Sequence, residues 1–83
     1  MSVIDSLKFS YKAVSITSNS ILTTRTRAVY IGTSQSLDFC FDGSTWVTFQ
    51  GLVAGEIMAL GVNGARITSG AANPNAGDVV FLY

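Results

Sequence analysis

Leu37-Asp38-Phe39-Cys40-Phe41-Asp42-Gly43-Ser44-Thr45-Trp46-Val47-Thr48-Phe49 reads as two strands and the turn between them. Successive side chains of an extended chain point to opposite faces, so Leu37, Phe39 and Phe41 share one side. Asp42-Gly43-Ser44 supplies the turn, and Val47 and Phe49 resume the inward series on the return strand. Both strands thus bury one aromatic-rich face, which makes packed β-sheet the class to expect.

The same period extends in both directions. Upstream, Leu7, Phe9, Tyr11 and Ala13 alternate with Lys8, Ser10 and Lys12. The phase then flips to Val14 and Ile16, which predicts a bulge or break near Ala13. After the polar loop Thr17 to Ser20, an extended stretch from Ile21 to Thr33 contains the β-favouring run Ala28-Val29-Tyr30-Ile31, ended by Gly32. Downstream, Gly51 and Gly55 bracket a short connection. Glu56 to Val62 reads as a strand, Asn63-Gly64 as a turn, Ala65 to Thr68 as a strand and Ser69 to Gly77 as a loop. The last run, Asp78-Val79-Val80-Phe81-Leu82-Tyr83, is a strand apolar on both faces, stable only when both are covered. No segment has helical period. Short strands joined by Gly and Asn turns, without room for crossover helices, predict one all-β domain over 1–83. Its expected form is an antiparallel β-sandwich or a partly closed β-barrel, with 1–6 as an N-terminal arm.

Composition adds a demand for company. Charged residues are 12% of the 83 and hydrophobics 48%, with mean hydropathy +0.42, whereas a typical soluble domain carries about 25% charge. A core this small is commonly reinforced by disulfides, metals or partner subunits. Cys40 is the single cysteine and histidine is absent, so an intrachain disulfide and a Cys/His zinc site are both excluded. Homo-oligomerisation is the remedy left. A net charge of zero and a pI near 6.0 argue against a nucleic-acid partner. Apolar runs far shorter than about 20 residues argue against a membrane-spanning helix.

Catalytic readings find little support. Without histidine the Ser-His and Cys-His nucleophile arrangements cannot form. Of the carboxylates Asp5, Asp38, Asp42, Glu56 and Asp78, only Asp38 and Asp42 are close in sequence; the simpler reading is a solvated strand residue beside a turn former. Cys40, of opposite parity to its two phenylalanine neighbours, reads as a small inert hydrophobe. No cofactor and no metal is expected.

Contact residues are easier to nominate. Trp46 is out of phase with Val47 and Phe49, and Tyr30 with Val29 and Ile31, so both are directed away from the inward series. Outward aromatics anchor interfaces or stack on sugar rings, unless a second sheet covers them as ordinary core. Arg25 and Arg27 share a parity, suited either to carboxylates of a neighbouring subunit or to charge protection of a solvated edge strand. Phe81, Leu82 and Tyr83 complete the candidate interface set.

Five pieces in order carry a resemblance: Arg27-Ala28-Val29-Tyr30-Ile31-Gly32-Thr33; Asp42-Gly43-Ser44 with Val47-Thr48-Phe49; Val53-Ala54-Gly55-Glu56-Ile57; Arg66-Ile67-Thr68-Ser69-Gly70; and Asp78 to Tyr83. Over roughly Ile21 to Tyr83 the chain resembles the spike-base, or head-fibre-base, proteins of tailed bacteriophages and gene transfer agents. It departs in having Ser34-Gln35-Ser36 where that family places a glycine-rich turn, and in a longer loop at Ala71 to Gly77. The resemblance implies a non-enzymatic virion protein, made in the host cytoplasm and sited on the capsid exterior as a decoration or cement protein or a spike platform. Its implied partners are further copies of itself, as a trimer or pentamer, and the major capsid protein or other virion proteins. The alternative is a small carbohydrate- or receptor-binding β module of a fibre or tail, with Trp46, Thr48 and Asp38 as its platform.

Overall fold

The computed structural model of the chain describes residues 12–83, so the expected arm at 1–6 and the alternation from Leu7 to Tyr11 lie outside the described residues. Seven strands follow: β1 (Ala13–Ser15), β2 (Ala28–Ile31), β3 (Gln35–Cys40), β4 (Trp46–Leu52), β5 (Ile57–Met58), β6 (Gly64–Ile67) and β7 (Val79–Leu82). They form two antiparallel sheets, one ordered β1-β7-β2-β5 and the other β4-β3-β6. The sheets do not close on each other, so the fold is a sandwich and not a barrel.

Alternation decides what the two layers bury. Val29 and Ile31 of β2 lie opposite Phe81 and Val79 of β7, and all four are fully buried. From the other sheet come Leu37 and Phe39 of β3 and Ala65 of β6, while Ile16, Leu52, Val62 and Tyr83 close the ends of this core. Phe49 packs edge-on to Phe39 at 5.3 Å between ring centres, an arrangement favoured by the ring quadrupoles. Val47 has inward parity, as expected, yet is 45% exposed on the edge strand β4.

The doubly apolar end of the chain is satisfied by insertion. β7 lies between β1 and β2, pairing Val14 and Val29 with the two sides of Phe81. Its inner face enters the core, and Val80 and Leu82 lie half-buried on the outer face.

Three expected elements are shorter or placed differently. The stretch from Ile21 is a strand only over Ala28–Ile31, and residues 21–27 are irregular. Thr26, buried in that irregular segment, donates its hydroxyl to the Leu60 carbonyl at 2.5 Å and accepts the Val62 N–H at 3.1 Å. Those bonds take residues 60–62 away from the β2 ladder, so the strand expected over Glu56 to Val62 is only Ile57–Met58. Asn63-Gly64 accordingly joins strands of different sheets and is not a hairpin turn. The loop from Ser69 opens with a 3-10 turn, Ser69–Ala71.

Candidate functional site

The outer face of the three-stranded sheet holds a polar cluster built by register. Asp38 on the central strand lies opposite Thr48 on one side and Arg66 on the other. Its Oδ1 accepts hydrogen bonds from the Thr48 and Thr68 hydroxyls at 2.7 and 2.8 Å, and its Oδ2 accepts Arg66 Nε at 2.9 Å. Asp38 is only 5% exposed, which corrects its reading as a solvated strand residue. A carboxylate taken out of water needs such partners, and here a cation and two hydroxyls supply them. Burial pushes the Asp38 carboxyl up, but the bonds from Arg66, Thr48 and Thr68, together with the Arg66 charge, outweigh it and hold the group below its ordinary 3.8.

One register step further, Cys40 lies opposite Trp46 and Gly64. The Arg66 guanidinium sits over the Trp46 ring, 4.3 Å from its centre, a cation–π contact. Gly64 makes room for the indole: a Cβ there would stand 3.1 Å from Trp46 Cη2 and 3.3 Å from Cys40 Cβ. Cys40 is a free thiol, wholly buried. Trp46, Thr48 and Asp38 are thus brought together, as their shared parity in the hairpin implies. Arg66 and Thr68 were missed as members, since they lie 28 and 30 residues from Asp38 and only the β3–β6 pairing joins them.

The outer face of the four-stranded sheet is of the opposite character. Ala13, Leu82 and Ala28 form one row across three strands, and Ser15, Val80, Tyr30 and Ile57 the next. None of these side chains is charged. Tyr30 lies here, half-buried and outside the inter-sheet core. Phe81 and Tyr83 point into the core, so of the three terminal candidates only Leu82 stands on the outer face. Arg25 and Arg27 are exposed on either side of buried Thr26, as their shared parity requires, but they precede β2 in an irregular segment. The edge-strand reading is corrected, because β2 is interior to its sheet. Among the described residues neither arginine makes a salt bridge.

Two pieces of the motif set meet at the junction of β2 and β7. Thr33 donates to Asp78 Oδ1 at 2.9 Å, and the Asn75 N–H to Asp78 Oδ2 at 3.0 Å. The Gly32 N–H donates to the Asp78 carbonyl at 2.8 Å. A Cβ on Gly32 would lie 1.7 Å from the Gly77 carbonyl oxygen, so only glycine fits.

An open cleft of about 380 Å³ is lined by Lys12, Ile21, Leu22, Thr23, Thr24 and Tyr83, none of them a member of the Asp38–Arg66–Trp46 cluster. Among the described residues no three His, Cys, Asp or Glu side chains gather as a metal site, and no helix is long and apolar enough to cross a membrane. No protein-family model matches this sequence, and neither the curated proteins nor the solved structures provide a significant match to it.

Proposed function

We propose that this chain is a non-enzymatic virion structural protein. In this reading it is a capsid-associated decoration or cement protein, or the base of a spike, acting through contacts with its own copies and with capsid protein. The observation that carries the reading is the uncharged outer face to which Ala13, Tyr30, Ile57, Val80 and Leu82 contribute exposed or half-buried side chains, with Ala28 fully buried between them. A face depleted of charge and bearing an aromatic residue is the composition of an interface core. Repeated subunits bury such a face in closed symmetric contacts, as a trimer or pentamer does. Gly32, Thr33 and Asp78, which belong to the pieces that carry the resemblance, tie the end of β2 to the start of β7.

A second reading, a carbohydrate- or receptor-binding module, is favoured by the assembly of Trp46, Thr48 and Asp38 on one face. It is the weaker of the two. Arg66 already covers the indole, Asp38 already accepts three hydrogen bonds, and the 380 Å³ cleft is lined by none of these residues.

Imaging of assembled particles tests the main reading: density for this chain is expected on the capsid exterior. Light scattering on the purified chain is expected to give a mass above one subunit, and a stable monomer at low micromolar concentration counts against it. Glycan-array binding abolished by Trp46→Ala, with assembly unchanged, would transfer the conclusion to the binding module.

A further inference from the structure

Among the described residues the longest strand is also an open edge. β4 spans Trp46–Leu52 at the rim of its sheet, with β3 on one side. Hydrogen bonds from the Asn63 N–H to the Cys40 carbonyl and from the Thr68 N–H to the Ser36 carbonyl show that the even-numbered residues of β3 turn their backbone groups toward β6. In an antiparallel ladder the N–H and C=O of one residue point the same way and successive residues alternate. Leu37 and Phe39 therefore bond to their partners Phe49 and Val47, and Trp46, Thr48 and Gln50 turn their N–H and C=O outward. Among the described residues those outward groups have no backbone partner.

Natural edges are usually blunted by lysine, proline or a bulge. From Thr45 to Gly55 this chain has neither a charged residue nor a proline, and the pairing with β3 stays in regular register from Trp46 to Phe49, the shift falling beyond it near Gly51, whose φ is +70°. The three other edges are less available: β1 has three residues and β5 two, and Ala72 bridges to Ile67 on the free side of β6.

We infer that β4 pairs antiparallel with β4 of a second copy, about a two-fold axis through Thr48. The register is self-complementary. Thr48 faces Thr48 of the other copy, and Trp46 faces Gln50, as hydrogen-bonded pairs. Val47 faces Phe49 as the closer, non-hydrogen-bonded pair, with side chains on the inward face. This covers Val47, 45% exposed in the single chain, with the ring that already packs on Phe39 and Phe41. Two copies oppose no like charges, because the segment has none. A five-residue ladder is smaller than the roughly 800 Å² per partner of a standard interface, so the contact is concentration-dependent and joins copies already gathered by other contacts.

The pairing deepens the homo-oligomer reading and rests on it only for the presence of a second copy. Particles lacking the chain would sink the virion role and leave the pairing standing, whereas an assembled virion protein with a free β4 edge sinks the pairing alone.

Cysteine cross-linking of the full chain reads the register. Opposed Cα atoms in a hydrogen-bonded pair lie about 5.5 Å apart, within disulfide reach. Thr48→Cys is expected to give a covalent dimer on oxidation. Gln50→Cys is expected to stay uncross-linked, because its two copies would be offset by about 13 Å along the strands. The native Cys40 is buried and common to both variants. Val47→Lys, at an exposed position, is expected to weaken self-association by ~tenfold or more in sedimentation with an unchanged circular dichroism spectrum. The proposal is overturned if Gln50→Cys cross-links as readily as Thr48→Cys, or if Val47→Lys leaves association unchanged. A monomer whose Thr48 and Gln50 amides resist hydrogen exchange also overturns it, since another segment of the same chain then holds the edge.

Discussion

Asp38 and Gly32 show how single residues hold this sandwich, one by charge and one by having no side chain. Asp38→Asn leaves Arg66 without its counter-ion and is expected to cost about 1–3 kcal/mol at pH 7, read as a lower urea midpoint. Asp38 and Asp78 are both held below their ordinary 3.8; for Asp78 burial pushes up, and the hydrogen bonds from the Asn75 N–H and the Thr33 hydroxyl pull down further. Depressed carboxylates stabilise the fold fully above the unfolded value near 4 and lose that contribution as pH falls through the folded value. The native chain should therefore lose stability below pH ~4, and the gap between it and Asp38→Asn should close over the same window. At Gly32 the obstacle is backbone: a methyl would stand 1.7 Å from the Gly77 oxygen, and neither strand can yield without breaking the β2–β7 ladder. Gly32→Ala is expected to cost about 3 kcal/mol, at the upper end of overpacking costs, by thermal denaturation.

Among the elements, the β3–β4 hairpin owes its turn to Asp42, whose Oδ1 accepts the Ser44 and Thr45 N–H groups at 2.9 and 2.7 Å around Gly43 at φ +88°. Those two backbone bonds, Thr45 first, lower its carboxyl to about 2. Asp42→Ala is expected to lower the melting temperature at pH 7 and to remove part of the stability change between pH 4 and 2 in acid titrations followed by circular dichroism. β7 separates packing from association on its two faces. Phe81→Ala removes a fully buried ring and is expected to cost about 3–5 kcal/mol. Leu82→Lys, one residue on and on the outer face, is expected to keep the fold and to shift the light-scattering mass toward a single subunit.

For the molecule as a whole, the decisive fact is where β7 goes. It fills the gap between β1 and β2, pairing Ala13 with Leu82 across nearly the full sequence. The sheet cannot form until that distant contact is made, and contacts so remote in sequence slow folding. Deleting 78–83 removes Val79 and Phe81 from the core and leaves β1 without its ladder partner, so that chain is expected to show the narrow amide dispersion of an unfolded protein in NMR spectra. The outer faces then divide the work. One is polar and closed on itself through Asp38, Arg66 and Trp46; the other is uncharged and carries the proposed subunit contacts.

Much of this could be read from residue order, because strand alternation is a local property. The Leu37–Phe49 hairpin, its Asp42-Gly43 turn and the outward parity of Trp46 and Tyr30 all follow from period two and turn chemistry. Alternation cannot say which strand lies beside which, since a backbone ladder accepts any partner of suitable length. Asp38 therefore looked solvated, although the arrival of β6 places Arg66 and Thr68 against it. The strand expected over Glu56 to Val62 shrank because Thr26, some thirty-five residues earlier, captured its backbone groups at Leu60 and Val62. Pattern sets which face of each strand is apolar; only the closed three-dimensional packing assigns the neighbour that covers it, because that choice depends on contacts between residues remote in the chain.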